Sequence, residues 1–362
     1  MDRPLRIAVI GLGFGQQVHV PAFRADPRCE VTSLCASTEA RAAEVAHRLQ
    51  VPRASGDWRA LVVSPEIDAV SIAVPPRLQP AIAVAALRQG KAVFCEKPLA
   101  ADIDDARAAR KAAENAGRPN MLNFEFGECD AWRCAQEIID SNRIGRIISV
   151  DVDWRVQTYA NRNRLENWKS RPAEGGGALQ AFVAHTFYYL ERFAGPITWL
   201  QARLAKAADD PRTGETEAVL EARFAAGGRA TVYVATDALP PHRHRIDIVG
   251  DAGVLRLVNE GSDYIAGFRA LHASCAGAKM TPVFPQSATR GEGDADGGAA
   301  AGERVAGDSR VVATSRLVRK FVDWIVEGTA ARPDFADGYR VQFLIEAARR
   351  SNAEGHWLDA PV

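Results

Sequence analysis

The sequence predicts an α/β protein built from two units: a doubly wound parallel sheet, followed by an α+β unit with a mostly antiparallel sheet. A length of 362 residues is too great for one ordinary core and suits about two domains. The first third alternates short apolar runs with helical patterns, which is typical of crossover connections between parallel strands. Farther along the chain, strand patterns follow one another directly, as they do in antiparallel sheets.

Four apolar runs in the first third predict buried parallel strands. Each run is rich in β-branched residues and apolar on both faces, as a strand covered by helices on both sides must be. The runs occupy residues 6–10, 30–36, 69–74 and 91–95, and the helical patterns occupy residues 16–25, 38–49, 79–89 and 102–116. Asp102 is predicted to cap the last of these helices, and Gly117 is predicted to end it.

The pattern changes beyond residue 122, which divides the chain into a first unit, residues 1–122, and a second unit, residues 123–362. In the second unit, helices are predicted at 128–141, 178–193, 311–327 and 336–353, and strands at 146–156, 197–205, 217–225, 229–237, 243–250 and 253–258. Residues 286–308 are of low complexity and rich in Gly, Ala and charge, so they are predicted to form a mobile loop.

Composition and charge argue against several classes of partner. The 45 basic and 45 acidic residues give a formal net charge of zero, so no broad surface for nucleic acid is expected. No stretch of ~18 apolar residues could span a bilayer, and the first residues lack the cleavage site of a secretion signal. The six cysteines are scattered without a zinc-binding spacing. These observations predict a cytoplasmic protein with no membrane, nucleic-acid or metal partner.

A glycine-rich turn after the first strand indicates a dinucleotide site. In GLGFGQ, Gly11 permits the tight turn, and Gly13 lets a pyrophosphate approach the backbone at a helix N-terminus. Gln16 departs from the usual third small residue, and Gly15, one position earlier, is expected to relieve the crowding. Together with Phe14, these glycines are the predicted cofactor contacts, and the alternative is a purely structural turn.

The end of the second strand bears on whether the cofactor carries a 2′-phosphate. Residues 35–38 contain no carboxylate that could bind the ribose hydroxyls of NAD. Ser37, Thr38 and Arg41 offer hydroxyls and a positive charge instead, which suit a 2′-phosphate. We therefore predict NADP(H) as the preferred cofactor and NAD(H) as the alternative. In the simpler interpretation, Ser37 only caps the next helix and Arg41 is solvated.

Two strand ends of the first unit place prolines and charges at the carboxyl edge of the sheet, where ligands bind. One apolar run leads into Pro75-Pro76, which turn the chain out of the sheet over the cofactor. Another ends in Glu96, Lys97 and Pro98, and a cis peptide before the proline would aim Lys97 inward. Lys97 is thus predicted to reach the nicotinamide region, with Pro75, Pro76 and Glu96 beside the cofactor. The alternative is a solvated strand end.

Taken in their order along the chain, these motifs resemble those of the Gfo/Idh/MocA oxidoreductases, named for glucose–fructose oxidoreductase and inositol dehydrogenase. The resemblance covers nearly the whole chain and includes GLGFG, His19-Val20-Pro21, Pro75-Pro76, Glu96-Lys97-Pro98, Gly175-Gly176-Gly177-Ala178-Leu179, His185 and residues 333–351. It implies a Rossmann domain that binds NAD(P), an open-faced sheet domain, and a homodimer or homotetramer formed through that sheet. The implied activity is NAD(P)-dependent oxidation or reduction of a sugar, a cyclitol, or a related polyol or ketone.

The resemblance also implies catalytic residues. Lys97 would hydrogen-bond the reacting oxygen and His185 would act as the acid or base, although His185 taken alone is more typical of a core histidine. Ala181 stands where the family often has Asp, four residues before the histidine. Tyr188 replaces a second Asp, and Gln79 replaces a His. The proton relay is therefore expected to be either simplified or rebuilt by a tyrosine. The candidates are Tyr188, which we take as the third catalytic residue, Tyr189 and Tyr159.

The basic segment RVQTYANRNRLENWKSR precedes the triple-glycine turn, where the family builds its substrate pocket. Its basic residues are Arg155, Arg162, Arg164, Lys169 and Arg171. A solvated loop is the default interpretation, whereas a pocket for an anionic substrate, such as a nucleotide-linked sugar or a sugar acid, is the functional one. Trp154 and Trp168 either belong to the core or stack on a sugar ring. The predicted substrate contacts are Lys97, Tyr159, Arg164, Trp168 and His185.

Two other functions remain open at this point. The protein could be a glycoside hydrolase or lyase in which tightly held NAD is reduced and reoxidised within each turnover. It could also be a non-catalytic cofactor-binding protein, which Ala181 and Tyr188 suggest. Cofactor retained through purification, with no net absorbance change during turnover, would favour the hydrolase. No turnover on a broad panel of polyols and ketoses would favour the non-catalytic protein.

Overall fold

The first unit is a six-stranded parallel sheet with helices on both faces. The structure, a computed structural model, describes residues 3–261, 263–274, 279–284 and 308–362. The strands are β1 Leu5–Ile10, β2 Cys29–Cys35, β3 Arg53–Ser55, β4 Ala69–Ile72, β5 Ala92–Cys95 and β6 Asn120–Leu122, in the order β3-β2-β1-β4-β5-β6. The predicted doubly wound sheet is confirmed, and the strand order reverses between β1 and β4, where such sheets bind ligands.

The helices of the first unit connect its strands. They are α1 Val20–Arg24, which continues a π-helical turn at Gly15–His19, α2 Glu39–Leu49, α3 Trp58–Val63, α4 Gln79–Arg88 and α5 Ile103–Ala116. The Asp102 side chain accepts a hydrogen bond from the Asp105 amide at 2.9 Å, and Gly117 ends α5 with a φ of 56°. Both predicted ends of this helix are therefore confirmed.

The second unit contains a nine-stranded mixed sheet. Its strands are β7 Ile147–Arg155, β8 Ile197–Ala205, β9 Glu217–Phe224, β10 Arg229–Ala235, β11 Arg243–Gly250, β12 Val254–Asn259, β13 Arg269–Ala273, β14 Thr281–Val283 and β15 Leu358–Asp359. They lie in the order β14-β13-β12-β11-β7-β10-β9-β8-β15, and among these pairs only β7 and β10 run parallel. The predicted, mostly antiparallel sheet is thus confirmed.

Helices cover one face of this second sheet. Of the helices in this part of the chain, α6 Asp130–Asp140 and α10 Phe335–Glu354 pack on the sheet. The others are α7 Tyr159–Arg162, α8 Ala184–Ala194, which continues a π-helical turn at Leu179–Val183, and α9 Ser309–Glu327. In β9, buried and exposed side chains alternate, so the opposite face of the sheet is open. Val219 and Trp199 lie exposed on that open face.

Helix α9 leaves the second unit and completes the core of the first. Its Phe321 ring packs against Phe94 of β5, with ring centroids 5.7 Å apart, and against Phe23 of α1, at 6.4 Å. The predicted mobile loop, 286–308, lies outside the described residues except for Asp308, which caps α9 by accepting a hydrogen bond from the Arg310 amide. No helix in the described ranges is long and apolar enough to cross a membrane.

Candidate active site

The glycine-rich turn after β1 leaves room for a phosphate group against the backbone. Gly11 has a φ of 98°, and a Cβ there would collide with the carbonyl group of Ala73. A Cβ on Gly13 would meet open space, with no heavy atom of the described residues within 4 Å. Gly15 packs on β1, where a Cβ would lie 3.0 Å from Val9 Cγ1. Gly15 thus makes the close helix–strand contact that the motif usually assigns to a later residue.

The loop after β2 uses two of its three predicted cofactor residues internally. Thr38 caps α2, since its hydroxyl accepts a hydrogen bond from the Arg41 amide at 3.3 Å. The Arg41 guanidinium pairs with Glu44 at 2.7 Å, and Ser37 is exposed. The helix cap is therefore Thr38 and not Ser37, and Arg41 would have to exchange Glu44 for a phosphate group to bind one.

A carboxylate that the sequence did not predict lies near the end of β2. Ser55 of β3 pairs in register with Cys35 of β2, and Asp57 follows two residues later as the cap of α3. Burial raises the pKa of the Cys35 thiol to about 11, and the Asp57 charge acts in the same direction. The strand end therefore offers an acidic group from the neighbouring loop as well as the hydroxyls of its own loop.

Gln79 joins the loops that follow β4 and β5. Its buried side-chain Nε2 donates hydrogen bonds to the carbonyl of Glu96 at 3.0 Å and to the carbonyl of Pro98 at 2.6 Å. The Lys97–Pro98 peptide between them is cis, as the sequence predicted. Gln79 thus holds the loop of Lys97 on both sides, a function that the sequence analysis did not identify.

Glu96 is held in a network that links three strand ends. Its Oε1 accepts a hydrogen bond from Asn123 Nδ2 at 2.7 Å and hydrogen-bonds His19 Nε2 at 2.9 Å. The other ring nitrogen of His19, which is fully buried, contacts Ser71 Oγ at 2.7 Å. Glu96 was predicted beside the cofactor, and its side-chain contacts fix the loop in which Lys97 lies. His19 and Asn123 support the site from beneath.

The triple-glycine turn brings the second unit against the first. Gly175 has a φ of 89°, and a Cβ there would lie 2.5 Å from the Cβ of Pro76. Gly177 has a φ of 91°, and a Cβ would collide with the Glu215 carboxylate. The loop of Pro75 and Pro76 therefore packs directly on this turn, and the carboxyl edge of the parallel sheet faces the start of α8.

Lys97 lies where the two units meet. Its Nζ donates a hydrogen bond to the carbonyl oxygen of Ala181 at 3.0 Å. Burial lowers the pKa of Lys97, whereas the carboxyl groups of Glu125 and Glu96 raise it, and the charge of Lys169 lowers it further. The lysine of the first unit is thereby placed on the turn that precedes His185.

His185 is a buried, neutral imidazole on the first turn of α8. It is 5% exposed and lies against the rings of Phe126 and Phe124, with centroid distances of 4.7 and 5.7 Å. Burial lowers the pKa of His185 well below its usual value, and Lys97 and His244 act in the same direction. His185 can therefore accept a proton at neutral pH, and it lies close enough to Lys97 to feel its charge.

Tyr188 packs on Phe124, the ring that also contacts His185. Its ring stacks on Phe124 with centroids 4.4 Å apart. Burial and the nearby Asp337 raise the pKa of Tyr188 to about 12, and a hydrogen bond with Arg192 opposes this. The groups that act on its hydroxyl are thus those of α8 and α10. The structure does not bring Tyr188 into hydrogen-bonding contact with Lys97 in the described residues.

Three of the predicted substrate residues, Tyr159, Arg164 and Trp168, lie outside the contact between Lys97 and the turn that precedes His185. Tyr159 is 77% exposed, and the Arg164 guanidinium pairs with Asp209 at 2.6 Å. Trp168 is half-buried, with Lys169 over its ring at 5.7 Å. Of these residues, only the loop of Trp168 and Lys169 is placed toward Lys97, because the charge of Lys169 reaches it.

The rest of the basic segment is engaged elsewhere. Arg155 pairs with Asp153 at 2.8 Å, and Arg171 pairs with Glu174 at 3.0 Å. Trp154 is 5% exposed and stacks on His244 with centroids 4.0 Å apart, so it belongs to the core. Solvated or paired charge is therefore the correct interpretation for these two arginines.

Glu125 is a buried carboxyl group that the sequence analysis missed. It lies in the short turn Glu125–Glu128 just after β6, and it is 3% exposed. Burial raises the pKa of Glu125 to about 7, against the opposing charge of Lys97. The sequence signal was a lone Glu within the aromatic stretch NFEFG, a place where a buried charge needs a reason.

The glycine-rich turn of the first unit fits a dinucleotide. In the turn formed by Gly11, Gly13 and Gly15, Gly13 leaves open space beside the backbone at a helix start, which suits a pyrophosphate. When bound there, a nicotinamide cofactor supplies a carbon that accepts or donates hydride. The edge that this ring would face carries Lys97 from the first unit and His185 from the second.

Sequence comparisons agree with this geometry. The family model described as an oxidoreductase family with an NAD-binding Rossmann fold matches residues 5–124, and the model of the GFO/IDH/MocA C-terminal domain matches residues 132–256. The chain therefore belongs to the Gfo/Idh/MocA oxidoreductases, the family that the sequence motifs indicated. It is an NAD-binding oxidoreductase, a dehydrogenase or reductase.

Individual relatives span the whole chain. An uncharacterized oxidoreductase of Synechocystis is 29% identical over 369 residues, which cover 99% of this chain and 96% of the relative. Levoglucosan dehydrogenase of Pseudarthrobacter phenanthrenivorans is 26% identical over 400 residues, which cover 99% and 98%. A solved structure titled levoglucosan dehydrogenase in complex with NADH and levoglucosan superposes with a TM-score of 0.86 at 24% identity, over 99% of this chain and 100% of that chain.

Proposed function

We propose that the protein transfers hydride between the nicotinamide of NAD(P) and a CH–OH carbon of a sugar, a cyclitol, or a related polyol or ketone. The observation that supports this most directly is the hydrogen bond of 3.0 Å from Lys97 Nζ to the carbonyl of Ala181. It joins the carboxyl edge of the nucleotide-binding sheet to the turn that carries His185. A cation and a proton acceptor thus lie together beside the place where the nicotinamide would be.

The chemistry requires both groups. When an alcohol is oxidised, hydride leaves its carbon for the nicotinamide, and the hydroxyl proton must go to a base. His185 is uncharged at pH 7, so its imidazole can take up that proton, although burial lowers its pKa and makes it a weaker base than a solvated histidine. The Lys97 ammonium group donates a hydrogen bond to the same oxygen and stabilises the developing alkoxide. In the reverse direction, protonated His185 returns the proton to the carbonyl oxygen.

The names of the relatives support sugar-like substrates. Besides levoglucosan dehydrogenase, they include a 1,5-anhydro-D-fructose reductase of Ensifer adhaerens, 32% identical over 43% of this chain. Lys169 next to Lys97 favours, within this class, a nucleotide-linked or acidic sugar.

The test is turnover of a panel of anhydro sugars, aldoses, cyclitols and sugar acids with NAD⁺ and NADP⁺. We expect Lys97→Ala to lower kcat about 100-fold or more, because the alkoxide loses its cation, while cofactor affinity changes little. Lys91→Ala is the matched control, since Lys91 lies just before β5 and donates its hydrogen bonds to the carbonyls of Ser64 and Ile67, away from the site. An unchanged kcat in Lys97→Ala contradicts the mechanism. Product formed without net reduction of the cofactor would point instead to the hydrolase.

For the cofactor, we propose NADP(H) over NAD(H). Support comes from residues 35–38, which contain no carboxylate, and from Arg41, whose exposed side chain can exchange Glu44 for a phosphate group. The nearby Asp57 and the NADH of the levoglucosan dehydrogenase structure argue the other way. We expect Arg41→Ala to weaken NADPH binding about tenfold and leave NADH binding unchanged, whereas Arg107→Ala on α5 changes neither. Tighter binding of NADH than NADPH by the unmodified protein would overturn this preference.

A further inference from the structure

Glu125 is a buried acid that the proposed hydride transfer does not use. Its side chain is 3% exposed, and its Oε2 atom has no hydrogen-bond partner among the described residues. A carboxyl group in such surroundings is costly unless another interaction compensates it. The fold shows which interaction does so.

Sheet register places Glu125 beside Lys97. Cys95 at the end of β5 pairs with Leu122 at the end of β6. Lys97 follows two residues after the first of these, and Glu125 follows three residues after the second. Since neighbouring parallel strands release their loops at the same edge, both side chains emerge side by side above the sheet. The lysine is directed to the carbonyl of Ala181 and does not form a direct ion pair with Glu125.

The other charged groups nearby are already engaged or act weakly. The groups that face Lys97 are Glu125, Glu96, Lys169 and His185. Glu96 is the other acid among them, and its Oε1 is bound by His19 and Asn123. The groups that face Glu125 are Lys97, Glu96, Arg310, Tyr264 and Cys129. Arg310 is held by Asp308 at 2.8 Å, so Lys97 is the cation that Glu125 chiefly feels.

We propose that Glu125 is a positioning residue whose buried carboxylate keeps Lys97 in the ammonium form at the reacting oxygen. An ammonium group donates a hydrogen bond and stabilises an alkoxide, whereas a neutral amine does neither as well. Ala181 contributes only a carbonyl dipole, and the Glu96 carboxylate is already bound by His19 and Asn123, so Glu125 is the acid near the lysine with no such partners. This role rests on the proposed function, but the electrostatic coupling of Glu125 to Lys97 can be measured without a substrate.

The test measures the ionisation of Lys97 directly. Competitive labelling with acetic anhydride, followed by peptide mass spectrometry, gives the reactivity of Lys97 against pH, because only the neutral amine reacts. In Glu125→Gln we expect the apparent pKa of Lys97 to fall by about one unit, so that its labelling near pH 8 rises up to tenfold. Glu125→Asp keeps the charge and should retain most of the unmodified profile.

Glu128 provides the matched control. It lies on the same turn, is equally buried, and forms an ion pair with Lys320 of α9 at 2.5 Å. Glu128→Gln therefore removes a buried carboxylate of the same turn without touching Lys97. Should Glu125→Gln fail to fold, Glu125→Met replaces the acid by an apolar chain of similar length and must show the same shift. An unchanged Lys97 profile in the folded Glu125 variant, or an equal shift in Glu128→Gln, overturns the proposal.

The substrate assay separates this inference from the proposed function. In one outcome, the Lys97 labelling profile shifts in Glu125→Gln, and the same variant has a lower kcat whose fall at alkaline pH begins at a lower pH. This outcome supports both the role of Glu125 and the proposed hydride transfer. If the labelling shifts but no sugar, cyclitol or sugar acid is turned over by the unmodified protein, the coupling stands and the hydride transfer fails. In that case Glu125 affects the ionisation of Lys97 but positions no catalytic group, which contradicts the proposal.

Discussion

At the residue scale, the site is defined by groups whose burial sets their charge. His185 and His244 are both buried beside aromatic rings, and burial lowers the pKa of each. Lys97 lies between this neutral imidazole and the acids of the loops after β5 and β6. The proton acceptor His185 and the cation Lys97 thus lie close together without charge repulsion, because the histidine is uncharged at neutral pH.

The buried histidines predict a specific loss of stability in acid. Burial lowers the pKa of His244 to about 3, while the unfolded chain binds a proton near pH 6.5. Stability from this residue is therefore fully present above pH 6.5 and falls as the pH drops, by about 2 kcal/mol at pH 5. We expect His244→Phe, which preserves the stacking on Trp154, to lose less stability than the unmodified protein between pH 7 and pH 5 in urea unfolding.

Identical slopes for His244→Phe and the unmodified protein would show that His244 is protonated in the folded state, contrary to the expectation.

Some site residues could be predicted from the sequence and others could not. The position of Lys97 could be predicted because the residue follows a clear apolar strand and precedes a proline. The position of Glu125 could not be predicted, because β6 has only three residues and gives no strand signal that would place the following loop at the sheet edge. Exposure of Tyr159 and the pairing of Arg164 with Asp209 depend on tertiary contacts that no local pattern encodes.

At the element scale, regular patterns were predictable and short edge elements were not. The strand at 197–205 and the long helices near the C-terminus agree with the structure within a few residues, because their apolar periodicity is strong. The elements β3, α3, β6, α7, β13, β14 and β15 were missed, and each is two to six residues long. Such segments owe their conformation to pairing with a neighbour and not to their own sequence.

The contact between Gly175 and Pro76 predicts a sensitive position. In Gly175→Ala, the alanine would be strained at the φ of 89° that Gly175 adopts. Its new Cβ would also collide with the Pro76 ring and push the two units apart. Gly328→Ala is a matched control, because Gly328 also ends a helix at a φ of 77° but has open space around it. We expect the control to lose about 1 kcal/mol and Gly175→Ala to lose more, measured by thermal unfolding.

A second measurement distinguishes docking from simple strain. Because Gly175 packs on the loop over the cofactor edge, Gly175→Ala should also weaken cofactor binding, which fluorescence titration can measure. Equal losses of stability in the two variants, with cofactor affinity preserved in both, would show that the turn does not hold the units together.

At the scale of the whole molecule, the open sheet face supports the proposed homodimer or homotetramer. Val219 and Trp199 are apolar side chains exposed on strands whose other face is buried. We expect Val219→Glu to shift the protein to a smaller species in sedimentation velocity, because a charge would be buried between paired sheets. Val63→Glu on α3, at an exposed valine of the first unit, should leave the assembly unchanged. The same sedimentation coefficient for all three proteins would argue against assembly through this sheet.

The return of α9 to the first unit has a consequence for synthesis of the chain on the ribosome. Phe321 completes a cluster with Phe23 and Phe94, yet nearly 200 residues separate it from the last strand of the sheet that it covers. The nucleotide-binding sheet therefore emerges with part of its apolar face uncovered until the C-terminal helices are made. During that interval we expect the nascent chain to expose this apolar face to chaperones. We also expect a truncated product that ends before α9 to be more sensitive to proteases, although every residue of the glycine-rich turn is present.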